Sequence, residues 1–117
     1  MSKPLILKIL DSGINSNGSW IKFTDGTMIC AGTGQCPANF RYADITFPES
    51  FINNDYIILA NHKYQGGSDY GGSLQLRNIT NPQAVSNNSA YIYSYLYDGS
   101  VANYIRNVQY LAIGRWK

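Results

Sequence analysis

Apolar and polar residues alternate with a period of two along most of this chain, and Gly, Asn, Asp and Pro break the alternation at short intervals. No helix-period segment of useful length occurs. Trp20-Ile21-Lys22-Phe23 and Thr27-Met28-Ile29-Cys30 flank Thr24-Asp25-Gly26 and predict a hairpin, because glycine accepts a positive φ without strain. Gly32-Thr33-Gly34 is expected to end that hairpin, and Pro37 to keep the following loop out of a sheet. Residues 43–47 predict a third strand, stopped by Pro48. Residues 56–63, the longest apolar stretch, read as a central strand. Residues 65–72 hold four glycines and read as a loop, and residues 73–79 alternate cleanly as a strand. Asn81-Pro82 and Asn87-Asn88 are turn signals. Residues 89–97 predict another strand, ended by a second Asp-Gly turn at Asp98-Gly99, and residues 107–115 predict the last.

Six to seven short strands with turn signals every 8–12 residues or so predict an all-β fold, an antiparallel sandwich or a barrel-like arrangement. A chain of 117 residues is one domain. It buries roughly two thirds of its unfolded surface, enough for a core without metals or disulfides. The reading divides it into a lead-in, residues 1–14, and a sandwich domain, residues 15–117. The lead-in is a short apolar segment with no evident partner of its own, suited to docking on a neighbour.

Composition narrows the function classes. The net charge is +2, and the acidic and basic residues are scattered, so no nucleic-acid partner is expected. No segment approaches the roughly 20 apolar residues of a membrane span, so no membrane insertion is expected. The apolar run near Met1 is short and broken by Lys8 and Asp11, and reads as no signal peptide. Two cysteines, Cys30 and Cys36, are too few for a disulfide framework, although they are close enough in sequence to pair across a loop.

The same residues argue against catalysis. His62 is the single histidine, inside the most apolar strand, and reads as a hydrogen-bonded structural residue. With two cysteines it matches no zinc spacing, so no metal and no cofactor are expected. Asp25 and Asp98 are explained as turn residues, and no remaining pair of carboxylates suggests glycoside hydrolysis. The glycine-rich residues 66–72 lack the Lys-Ser/Thr of a phosphate loop. The chain is therefore read as a binding protein and not an enzyme.

Tyr91, Tyr93, Tyr95 and Tyr97 alternate with Ile92, Ser94 and Leu96. On a strand the four rings fall on one face, about 7 Å apart. Ile92 and Leu96 supply the core face, which leaves the tyrosines to meet another subunit; an exposed part of the stripe would instead offer rings for stacking on a sugar. A nucleic-acid platform would need a basic groove, and Lys63, Arg77, Arg106 and Arg115 are dispersed. The surface is polar but mostly uncharged, suited to hydrogen-bonded recognition of neutral ligands. By chemical type and expected loop position, the ligand-binding candidates are Asn61, His62, Tyr64, Asp69, Tyr70 and Arg106.

Three segments carry a resemblance. The stretch from Ser12-Gly13 through Asn17-Gly18, Trp20-Ile21-Lys22-Phe23 and Asp25-Gly26-Thr27 to Ile29-Cys30 resembles the opening of C-terminal tip domains of bacteriophage and prophage tail fibres. Thr46-Phe47-Pro48 with Phe51 is similar to their middle step, and Tyr110-Leu111-Ala112-Ile113-Gly114-Arg115-Trp116-Lys117 to their ending. The resemblance covers residues 12–117, most specifically at the two ends. It implies a sandwich similar to the H-type lectins and a homotrimer at the distal tip of a virion's tail fibre, assembled in the host bacterial cytoplasm. It also implies attachment to host cell-surface glycan, polysaccharide or lipopolysaccharide. The implied partners are the other two subunits, the rest of the fibre or baseplate, and that glycan. A trimerising cap without receptor contact is equally compatible with these segments.

Overall fold

The computed structural model describes residues 7–63, 78–96, 98–101 and 103–117. Among these residues there are eight strands and no helix: β1 (Ile9–Asn15), β2 (Gly18–Phe23), β3 (Thr27–Cys36), β4 (Tyr42–Thr46), β5 (Ile57–His62), β6 (Asn78–Ala84), β7 (Ser89–Leu96) and β8 (Arg106–Arg115). They form two antiparallel sheets. The larger has the order β1-β2-β3-β8-β5 and the smaller β4-β7-β6. The expected all-β sandwich is therefore the observed fold, with one strand more than the sequence patterning suggested.

Period-two alternation explains the layering. In β3, Met28, Cys30 and Cys36 point inward and are buried; in β8, Val108, Tyr110 and Ala112 do the same; β4 and β7 contribute Ala43, Ile45, Ala90 and Ile92 from the other sheet. Phe47, Phe51 and Tyr56 fill one end of the core. Phe47 meets Phe51 and Tyr56 edge-on, and Phe51 stacks on Tyr56 at 4.8 Å. The Tyr56 hydroxyl reaches the carbonyls of Ser86 and Ser89, so the buried ring keeps its polar end satisfied.

Local predictions meet the structure in different ways. Asp25-Gly26 forms the β2–β3 turn, with Gly26 at φ 98° and the Asp25 carboxylate accepting from the Thr27 amide. Gly32-Thr33-Gly34 does not end the hairpin: β3 runs on to Cys36. Gly32 serves close approach instead, since a Cβ there would lie 2.9 Å from both the Asn17 carbonyl and the Tyr110 hydroxyl. Asn81-Pro82 is not a turn but lies inside β6, an edge strand where proline's missing N–H costs no ladder bond. Residues 56–63 are not a central strand, because β5 is the last strand of its sheet. Thr80 of β6 covers its edge by donating to the Ala60 carbonyl.

The segment read as lacking a partner finds one in its neighbour. Residues 9–15 pair with β2 as a hairpin, from Ile9 opposite Phe23 to Asn15 opposite Gly18, so β1 runs across the 14/15 boundary. The predicted strand at residues 73–79 falls mostly outside the described residues. Cys30 and Cys36 are free and buried on one face of β3. Six residues of strand place them roughly 20 Å apart, far beyond disulfide reach.

Candidate functional site

Outward-facing positions of the five-stranded sheet build the most unusual surface of the molecule. Register places Ile21, Ile29, Ile113 and Ile57 side by side in one row across four strands. The next row is Ser19, Ala31, Leu111 and Leu59, and the one after it brings Thr33, Gln109 and Asn61 together. These three rows contain no charged side chain. In a single copy Ile57 is 66% exposed, Leu59 60%, Leu111 39% and Ile113 37%. A contiguous apolar patch of this kind on a folded domain marks an interaction surface.

The turn of the β1–β2 hairpin meets one end of that surface. That turn, from Ile14 to Gly18, together with Ala31, Thr33, Leu59, Asn61, Gln109 and Leu111, encloses an open concavity of about 660 Å³. The floor is aliphatic, and the rim carries the uncharged amides of Asn61 and Gln109 and the Thr33 hydroxyl. Ile14, 79% exposed, stands at its edge. The apolar row and the concavity are continuous, because Ala31, Leu59 and Leu111 belong to both.

The predicted ligand residues separate in space. Asn61 is exposed and lies in the concavity. His62, next along β5, points the other way and is half-buried between the sheets. Arg106 is 1% exposed. Its guanidinium donates to the Ser94 hydroxyl and carbonyl and to the carbonyls of Phe40, Pro37 and Tyr104, and to the Cys36 sulfur at 2.8 Å. It is therefore an organiser of the sandwich end and is withdrawn from any surface ligand. Tyr64, Asp69 and Tyr70 lie outside the described residues.

The His62 site shows what Arg106 organises. The Ser94 hydroxyl oxygen accepts from Arg106 Nε at 3.2 Å and shares a hydrogen bond with His62 Nε2 at 2.7 Å. Burial, reinforced by the nearby Arg106 charge, pushes the His62 pKa down to about 4 from an ordinary value of 6.5. Burial also pushes the Cys36 thiol up, against the pull of Arg106, and the Cys30 thiol up to about 11. Neither thiol is a nucleophile at neutral pH. Among the described residues no group of three or more His, Cys, Asp or Glu side chains is placed to hold a metal.

A pH effect follows. A histidine whose folded pKa lies below its unfolded value contributes stability that is whole above pH 6.5 and is lost as pH falls through about 4. Asp25 and Asp98, whose carboxylates accept hydrogen bonds from Thr27 and Ser100, are held below their ordinary value of 3.8, so most of their contribution is lost at more acid pH than that of His62. Thermal unfolding followed from pH 7 to pH 4 is expected to show a falling midpoint for the native chain. The midpoint of His62→Gln is expected to stay nearly flat over the same range.

The tyrosine stripe lies on the outer face of the smaller sheet, opposite the buried Ala90, Ile92 and Ser94. Tyr91, Tyr93 and Tyr95 are half-buried there; Tyr97 is outside the described residues. Tyr42 of β4 joins them, stacked on Tyr91 at 4.2 Å. The stripe was legible in the sequence, but the contribution of Tyr42 was not. Nor was the isoleucine row, which exists only once the register of four strands is known. The available signal was that residues 57–60 and 110–113 are apolar at successive positions, on both faces of their strands.

No protein-family model matches the chain, and no curated protein sequence matches it. Solved structures share its fold. A C-terminal fragment of the R2 pyocin fiber of P. aeruginosa superposes with a TM-score of 0.62 at 20% identity, over 95% of this chain and 26% of that one. A C-terminal fragment of the R1 pyocin fiber of P. aeruginosa gives 0.58 at 18% identity, over 94% and 28%. An N-truncated R1-type pyocin tail fiber gives 0.57 at 18% identity, over 94% of this chain and 86% of that one. The chain thus spans about a quarter of the length of the first two.

Proposed function

We propose that the chain is the receptor-binding tip of a phage-type tail fibre. In this reading it associates into a homotrimer, joins the rest of the fibre at the distal end of the particle, and attaches that particle to bacterial surface glycan. The observation that carries the reading is the fold shared with pyocin fibre structures over 94–97% of this chain. The function is binding and not catalysis, a reading supported by the two buried, protonated thiols and the neutral, enclosed imidazole.

Self-association is assigned to the outer face of the five-stranded sheet rather than to the tyrosine stripe. The aliphatic rows lack charge and offer side chains that gain from leaving water, whereas the tyrosine face carries hydroxyl, amide and carboxylate groups that a second copy would have to satisfy. Three copies packed through the aliphatic faces would turn the smaller sheets outward. Weak single-site glycan binding would then be multiplied by three sites on one tip.

The aliphatic face also supports a second reading, a trimerising cap that never touches a receptor. Both readings are tested by incubating the purified, labelled chain, its mass verified, with a panel of bacterial strains and with polysaccharide extracted from them. Saturable binding to particular strains that free polysaccharide competes away is the expected result. A verified trimer that binds no strain and no extract would leave only the cap.

A further inference from the structure

The outer face of the three-stranded sheet differs in kind from the aliphatic face. Register places Tyr42, Tyr93 and Asn81 in one row and Asp44, Tyr91 and Gln83 in the next. Tyr42 and Tyr91 stack at 4.2 Å with 25° between their planes. Tyr93 completes the group, 5.4 Å from Tyr42 and edge-on to Tyr91 at 6.3 Å. The neighbouring Tyr42, burial and the Asp44 charge together hold the Tyr91 phenol above its ordinary range, as close packing of these groups requires. The three rings brace one another, so an incoming ligand need not pay to order them.

The chemistry of this face selects its occupant. Aromatic surface is interleaved with phenol hydroxyls, two side-chain amides and one carboxylate. An aliphatic partner would strand those polar groups. A pyranose ring matches them, since its C–H face packs on an aromatic ring while its rim of hydroxyls exchanges hydrogen bonds with amides and phenols and donates to a carboxylate. Asp44 is the single charge among the described residues of the face, and it disfavours a polyanion. The face lies on the opposite side of the sandwich from the aliphatic rows and stays open when those are covered.

We propose that Tyr42, Tyr91 and Tyr93, with Asp44, Asn81 and Gln83, form a contact surface for an uncharged surface glycan. The inference rests on the glycan-binding reading above and gives that reading a site and a ligand class.

The test measures binding of the assembled chain to an array of purified bacterial polysaccharides, neutral and acidic. The native chain is expected to prefer neutral members. Tyr91→Ala is expected to lower apparent affinity by about tenfold or more, the equivalent of about 1.4 kcal/mol, with mass unchanged. Gln83→Ala, at an exposed position that carries no packing, is expected to lower it by about threefold or more, and serves where Tyr91→Ala fails to fold. Asp44→Asn is expected to admit acidic members that the native chain rejects. If the native chain binds glycan and all three variants bind as it does, the surface is wrong while the glycan-binding reading stands. A native chain that prefers acidic polysaccharides overturns the ligand class. A native chain that retains no polysaccharide overturns both the reading and the inference.

Discussion

Arg106→Met is expected to lower the unfolding free energy by about 3–4 kcal/mol, a large share of the stability of a domain this size. Methionine fills a similar volume but donates nothing. The carbonyls of Phe40, Ser94, Pro37 and Tyr104 would lose the guanidinium that now bonds them, and the Ser94 hydroxyl would lose one of its two partners. Buried acceptors left unsatisfied cost about 1–3 kcal/mol each; the Pro37 and Phe40 carbonyls keep the Phe40 amide and the Cys36 thiol as donors, which relieves part of the total. Arg106→Lys is expected to fall well short of rescue, because one ammonium with three donors cannot span acceptors on three chain segments. Urea unfolding followed by far-UV circular dichroism checks both variants. A loss below about 1 kcal/mol for Arg106→Met would mean that the network is ornamental.

Leu111→Asp is expected to yield a folded monomer. Leu111 stands between Ala31 and Leu59 in the middle of the aliphatic face, and its side chain contributes to no core contact that the fold needs. In an assembly built through that face, each copy would bury an unpaired carboxylate against hydrocarbon. A cost of about 3 kcal/mol per copy weakens each association step by more than about a hundredfold. The strand signal is expected to persist while the mass falls to that of one chain. Thr46→Asp, on the outer face of the other sheet, is expected to leave the mass unchanged. An assembly that tolerates Leu111→Asp but is broken by Tyr93→Asp would return self-association to the tyrosine stripe.

The layers of this fold were legible because they follow from local alternation. The β2–β3 hairpin could be placed from Asp25-Gly26, and the core face of β7 from Ile92 between its tyrosines. What could not be read depends on partners distant in sequence. Arg106 looked like a surface donor because arginine usually is one. It is buried because Cys36 and Phe40, from the end of β3 and the loop after it, converge on it with Ser94 of β7. Asn61 and His62 are both candidates by chemical type and expected loop position, but adjacent strand residues face opposite sides of a sheet. Ile21, Ile29, Ile57 and Ile113 stand on four different strands. Only the register shows that they line up on the outward face, where Ile57 is 66% exposed. Pro82 marked a turn in the sequence, and the same residue sits in a strand because that strand is an edge.

Sedimentation equilibrium on the native chain, from low micromolar concentration upward, is the most direct test of the claim that it works as a self-associating fibre tip. The expected result is one species of three times the 13.0 kDa chain mass, unchanged by salt because the aliphatic face carries no charge. A single species of one chain mass across that range, with the isoleucine row open to water, would contradict it.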